Sequence, residues 1–304
     1  MNHPQFNREI VEIRDDRIHG ASELARRCLA ILAEAAKTLP AADCDEFRQR
    51  LLTLAAELAV IRPSMAPIGN LLRRWQERIG TANGDLELLR RLAAEHAAAL
   101  IALSRQAVTD CAAHAARWFG PGRTLMTHSL SSTVLETCRL LRNQDLRMIV
   151  TESRPLTEGR RMVERLSAWN VPTTYITDAQ MGLFVTHADG VLVGADSLLA
   201  DGSAINKVGT ALLALAAREC GVPFHVCCES FKQRAEGEPP PELEEMASAE
   251  LEVPAWPGVS VRNMYFDITP ARLIDVWISE TGVRQAVAAP WKNPAVSPRR
   301  PGSE

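Results

Sequence analysis

Apolar residues recur every third or fourth position from Arg17 to Lys37, at Ile18, Ala21, Leu24, Ala25, Cys28, Leu29 and Leu32. That spacing predicts an amphipathic helix. The same pattern returns from Asp43 to Ile61, with Phe47, Leu51, Leu54, Leu58 and Ile61, until Pro63 and Pro67 break it. A shorter helix is expected from Pro67 to Ile79, ended by Gly80, and a long one from Asp85 to Trp118, stopped by Gly120-Pro121-Gly122. No strand-like run interrupts this stretch, so residues 1–119 read as a helical domain.

Beyond Gly122 the period changes. Short apolar runs of strand length appear at Thr124–Met126, Met148–Thr151, Thr173–Thr177, Gly190–Val193 and Phe224–Cys227. Between them lie helical patterns over Ser131–Leu141, Thr157–Trp169, Ala179–His187 and Ile205–Cys220. Strands alternating with helices predict an α/β fold, a Rossmann-like domain over 120–288 with a mainly parallel sheet. In such sheets ligands bind at the carboxyl ends of the strands. Glu236 to Glu252 carries seven glutamates and Pro239-Pro240-Pro241, and reads as a solvated loop with a short acidic helix. Thr269-Pro270 then caps a final helix expected to run through Ser279. The proline-rich tail 289–304 is expected to be disordered.

Composition sharpens this picture little. Of 304 residues 46% are hydrophobic and 23% charged, values of a globular chain. The net charge of -3 gives no basic footprint for nucleic-acid binding. No apolar run is long enough to span a membrane, and Met1 to Asp16 lacks the apolar core of a secretory signal, so a cytoplasmic location is expected. Seven cysteines without a CxxC pair read as reduced thiols, with no metal site and no cofactor expected.

Candidate chemistry therefore sits at the strand ends. The first gives Thr127-His128-Ser129, followed by Ser131 and Ser132 as helix caps or as part of an anion site. His128 is a candidate base, though a lone histidine is more often structural. The second gives Glu152-Ser153-Arg154-Pro155, where Arg154 is either an anion ligand or a partner of Glu152 or Asp178. The third offers Asp178 as a helix cap. The fourth gives Gly194-Ala195-Asp196, the turn Asp201-Gly202-Ser203, and Asn206-Lys207-Val208-Gly209-Thr210, read as the opening of a helix. A helix N-terminus beside Lys207 attracts phosphate, and a desolvated Asp196 suits an acid. Neither a P-loop nor a dinucleotide fingerprint is present. Cys227 and Cys228 end the fifth run, and buried structural thiols are their commoner role.

These strand ends, taken in order with Arg62-Pro63-Ser64, Glu229-Ser230-Phe231-Lys232 and Ile268-Thr269-Pro270, resemble the family of the translation initiation factor 2B alpha, beta and delta subunits. Methylthioribose-1-phosphate isomerase and ribose-1,5-bisphosphate isomerase belong to the same family. The resemblance covers about residues 15 to 285. It implies a helical domain, a Rossmann-like domain and dimers built through the latter. For the isomerases it implies a cysteine and an aspartate that move protons. The aspartate matches Asp196, whereas the cysteine position holds Ser129, a far weaker acid than a thiol. A substrate-contacting glutamine falls at Glu158, while the phosphate-binding positions fall at Gly20-Ala21 (after His19 in place of an arginine), Arg62, Asn206 and Lys207.

Three functions follow as expectations. The first is a homodimer that binds a phosphorylated pentose or a nucleotide in a regulatory role, with Arg62, Arg154 and Lys207 on the phosphate and Asn206, Asp196 and Ser129 on the sugar. The second is an aldose–ketose isomerase, with Asp196 as acid and base and Cys228 or His128 replacing the thiol. The third is a subunit of a larger assembly that uses the acidic segment to meet protein partners.

Overall fold

The structure is a computed structural model that describes residues 6–286. The chain begins with five helices: α1 (Asn7–Arg14), α2 (Ala21–Thr38), α3 (Cys44–Ala59), α4 (Ala66–Gly80) and α5 (Leu86–Phe119). The side chains of Asp43 and Asp85 accept N–H groups of the first turns of α3 and α5. Leu24, Leu29, Phe47, Leu51, Leu72, Trp75 and Leu89 form the buried centre of this layer. The Trp75 indole N–H donates to the Ala93 carbonyl at 3.0 Å, so the largest core side chain buries no unpaired donor. Helix α1 is not apparent from periodicity; its buried face is only Ile10 and Ile13.

The second layer is a seven-stranded sheet in the order β10-β9-β7-β4-β1-β2-β3. Its strands are β1 (Thr124–Thr127), β2 (Arg147–Thr151), β3 (Thr173–Ile176), β4 (Gly190–Val193), β7 (Phe224–Cys227), β9 (Val276–Ser279) and β10 (Gly282–Gln285). All neighbours are parallel except β9 and β10. Alternate residues serve opposite faces. Leu125, Met148, Val150 and Leu192 pack with α5, α6 (Ser132–Leu141) and α7 (Gly159–Ala168). Met126, Ile149, Val191 and Val193 pack with α8 (Met181–Phe184) and α9 (Thr210–Glu219). Buried on both faces, these strands read as apolar runs in the sequence. The chain proceeds outward from β1 in one direction and from β4 in the other. The crevice between β1 and β4 is therefore the topological switch point.

A small antiparallel sheet, β5-β6-β8, lies beside these ends, from Ser197–Leu198, Ala204–Lys207 and Phe266–Thr269. It corrects one expectation: Asn206 and Lys207 end strand β6 rather than open a helix, and α9 starts only at Thr210. Gly209, at φ +103°, makes the turn between them. The expected final helix is also absent. Thr269-Pro270 leads into a single 3-10 turn, Ala271–Leu273, and the chain then forms β9. Val276, Trp277 and Ile278 are strand formers that pair with β7, and this sheet contact overrides the cap signal. Ala179–His187 is a chain of short turns, not one helix, and the acidic segment holds only a 3-10 turn at Ser248–Leu251. The tail expectation lies outside the described residues. No helix among the described residues is long and apolar enough to cross a membrane.

Candidate functional site

Two helices aim their N-termini into a cleft at the carboxyl ends of β1 and β4. Gly20, Ala21 and Ser22 bring the start of α2, and Ser131 and Ser132 the start of α6. The first amides of a helix have no intrahelical acceptor, and its dipole places partial positive charge there. The Ser131 side chain caps α6 by accepting the Val134 N–H. Gly194 allows β4 to reach this turn, because a Cβ there would lie 2.5 Å from the Ser131 Oγ. Gly159 does the same at the start of α7, where a Cβ would stand 1.8 Å from the Thr151 carbonyl oxygen. Ser129, Ser153 and Thr157, all non-glycine residues, take left-handed φ values of 69°, 60° and 51° around the ends of β1 and β2. Each costs about 1 kcal/mol or more, so the surrounding contacts must hold these turns.

Asp196 follows β4 at the floor of the cleft. Burial pushes its carboxyl up to about 6, against the pull of Lys232, Lys207 and Arg62. Glu158 enters from the start of α7. It accepts the Ser129 hydroxyl at 2.6 Å and sits 3.2 Å from the Lys207 ammonium. Lys207 also lies 4.3 Å from the centre of the Tyr265 ring. The deeper Lys232 pairs with Glu229 at 3.2 Å. Arg62 pairs with Glu244, its Nε donating at 2.8 Å, and its Nη1 donates to the Asp16 carbonyl at 3.1 Å. Arg17 pairs with Glu250 at 3.0 Å. Thus the acidic segment is more than a solvated loop: Glu244 and Glu250 neutralise two arginines of the cleft wall. Among the described residues Arg161 meets only carbonyl oxygens, of Ile18 at 2.7 Å and Arg17 at 3.4 Å, and brings its charge to the cleft lining without a carboxylate.

Gly20, Ala21, Arg62, Ser129, Glu158, Asp196, Asn206 and Lys207 all line this one cleft. Arg154 does not. It is exposed, its backbone N–H donates to Asp178, and its guanidinium reaches only the Leu251 carbonyl at 3.5 Å. Asp178 uses its carboxylate to accept the Ser153 and Arg154 N–H groups rather than to cap the turn after it. Both candidate replacements for the thiol fail on geometry. His128 lines the cleft, but its Nε2 faces the Val208 carbonyl at 2.8 Å and its Nδ1 the Thr151 hydroxyl at 2.7 Å. Nε2 donates to that carbonyl and Nδ1 is taken up by the hydroxyl, so neither nitrogen is open to the cleft, and burial holds its pKa below the usual histidine range. Cys228 is buried in the sheet core away from the cleft, and burial pushes its thiol upward. The cleft residues that sequence reasoning missed are Arg161 and Arg17; Ser132 was a cap or anion-site candidate, and Lys232 was noted only within the Glu229–Lys232 motif. Arg161 lies on an exposed-looking helix pattern, and only its proximity to the α2 start marks it.

The sequence matches the Initiation factor 2 subunit family over residues 17–286, and the chain belongs to that family. Among its relatives is a putative translation initiation factor eIF-2B subunit 2-like protein of Pyrococcus horikoshii, 35% identical over 280 residues, 90% of this chain and 93% of the relative. Another is the ribose 1,5-bisphosphate isomerase of Pyrococcus furiosus, 33% identical over 296 residues, 92% of this chain and 91% of the relative. The crystal structure of the Pyrococcus horikoshii OT3 translation initiation factor eIF-2B superposes with a TM-score of 0.79 at 32% identity, covering 92% of this chain and 97% of that one.

Proposed function

We propose that the cleft binds a phosphorylated pentose and isomerises it from aldose to ketose. The observation that carries this reading is Asp196: a carboxyl pushed up to about 6 on the floor of a cleft walled by two helix N-termini and Arg161. The helix ends and Arg161 suit a phosphate. Asp196 holds a proton at mildly acidic pH and delivers it to a sugar oxygen, then takes one back. Similarity to ribose 1,5-bisphosphate isomerases along nearly the whole chain supports a pentose bisphosphate as the substrate. The protein would act as a cytoplasmic homodimer, which light scattering tests.

One observation favours binding alone: a serine at residue 129, where the resemblance places a thiol. The two readings separate in a single experiment. The protein is incubated with ribose 1,5-bisphosphate, ribose 1-phosphate and methylthioribose 1-phosphate, and ketose formation is followed. Turnover that Asp196→Asn abolishes is the expected result. Stabilisation by ligand without turnover, lost in Lys207→Ala, overturns isomerisation and leaves a regulatory binding protein. An empty cleft and a heteromeric complex would instead leave a subunit of a larger assembly.

A further inference from the structure

Isomerisation by proton transfer through an enol needs a second proton carrier, one that acts on carbon. Two carboxylates besides Asp196 line the cleft, Asp16 and Glu158; Asp16 is taken up by the Ile18 and His19 N–H groups, the His19 ring and Arg27, which leaves Glu158. Its two oxygens are held by different groups, the Ser129 hydroxyl at 2.6 Å and the Lys207 ammonium at 3.2 Å. It stands at the N-cap of the ten-residue helix α7, where the dipole favours a negative charge. Lys207 is itself immobilised, with its ammonium over the rings of Tyr265 at 4.3 Å and Phe266 at 5.7 Å. Each carboxylate oxygen retains a lone pair after these contacts. Ser129 is spent as the donor to Glu158, and it cannot also be the base. His128 uses both nitrogens, and Cys228 lies outside the cleft.

We propose that Glu158 is the catalytic base that removes the proton from the carbon beside the anomeric carbon, and that Ser129 and Lys207 are its positioning residues. This rests on the isomerase reading. For a furanose 1-phosphate the step balances as follows. Protonated Asp196 gives its proton to the ring oxygen as the bond from C1 to that oxygen breaks. Glu158 takes the C2 proton, and the C2–H electron pair becomes the C1–C2 double bond. Glu158 then returns the proton to C1, while the C2 hydroxyl passes its proton to Asp196 and becomes the ketone. The phosphate stays on C1, and both carboxyl groups end as they began. No oxidant or reductant is required.

The test uses the full chain with ribose 1,5-bisphosphate and follows the ketose by NMR. Glu158→Gln should lower kcat about 100-fold or more while ligand still raises Tm, since removal of a general base costs on that scale. Ser129→Ala should lower kcat about tenfold with KM little changed, because Lys207 still holds the carboxylate. Glu158→Asp keeps the charge but withdraws it by one methylene; it should slow turnover and enlarge the isotope effect of substrate deuterated at C2. A Glu158→Gln protein with kcat within threefold of the natural one overturns the proposal and leaves the isomerase reading intact. So does a Glu158→Asp protein with unchanged kcat and isotope effect. A natural protein that makes no ketose overturns both.

Discussion

Lys207 and Lys232 both reach the cleft from buried positions, and both meet a glutamate at 3.2 Å. The two pairs nevertheless do different work. Glu229 is enclosed: its side chain is 2% exposed, and it also accepts the hydroxyls of Ser22 at 3.1 Å and Thr133 at 3.1 Å. It thereby ties the first turns of α2 and α6 to the strand end of β7. Burial opposes its charge, but Lys232 outweighs that and holds it below the usual carboxylate range. Burial likewise opposes the Lys232 charge, and Glu229 pushes it above the usual lysine range. Glu158, by contrast, keeps 13% of its side chain open to the cleft. One pair is a clamp that orients two helix ends; the other is a charge held ready for a ligand. Burial and the number of partners, not the pairing itself, separate structure from chemistry.

The largest expected effect tests the clamp. Glu229→Gln strands the Lys232 ammonium in a site with no other carboxylate bonded to it. Breaking a buried pair by removing one partner costs about 3–5 kcal/mol. For a chain of this size that corresponds to a fall in Tm of about 5–8 °C. Thermal unfolding by circular dichroism checks it, and a shift below about 3 °C would make the two pairs equivalent.

A smaller effect tests the charge balance between the pairs. Asp196 feels both lysines, yet burial dominates and pushes its carboxyl up to about 6, from an ordinary value of about 3.9. The folded chain thus holds an extra proton between about pH 4 and pH 6. The stability this group contributes is fully present below that window and is lost as pH rises through it. Asp267 is shifted the same way, also to about 6 by burial, so the dependence is shared. Asp196→Asn should remove part of the slope and raise stability at pH 8 relative to pH 4.5 by the order of 1 kcal/mol. Unfolding curves at those two pH values measure it. An unchanged slope would mean that the lysines hold Asp196 ionised at pH 5.

The helices and the central strands are legible in the sequence because each carries a single periodicity over enough residues. Leu24 to Leu32 faces one core, and Val191 to Val193 is buried on both sides. The short elements were not legible. Asn206 and Lys207 sit in a four-residue strand whose partner β8 is about 60 residues away, a pairing that no local pattern reports. The site residues at strand ends were legible because the α/β topology puts chemistry there. What was hidden is who neutralises whom. The pairings of Arg62 with Glu244 and of Arg17 with Glu250 join positions more than 180 residues apart. The first takes Arg62, which sequence reasoning assigned to phosphate, out of the free positive charge; the second does the same for Arg17, and Arg161 is left in that role.

Arg154 provides the smallest effect and the control for this comparison. Its position after a strand made it a candidate anion ligand, but it has neither the burial nor the partners of the two lysines. The contact that matters is its backbone N–H, which donates to Asp178 at 2.8 Å and survives any substitution except proline. Its guanidinium is exposed and makes one long contact, to the Leu251 carbonyl at 3.5 Å. Arg154→Ala should therefore change stability by less than about 0.5 kcal/mol. The affinity for ribose 1,5-bisphosphate, read by titration calorimetry, should stay within about twofold, whereas Arg161→Ala should weaken it by about tenfold, the scale of a lost charged hydrogen bond. A tenfold loss in Arg154→Ala would mean that the loop after β2 swings its arginine over the bound phosphate, and that cations outside the cleft wall take part in binding.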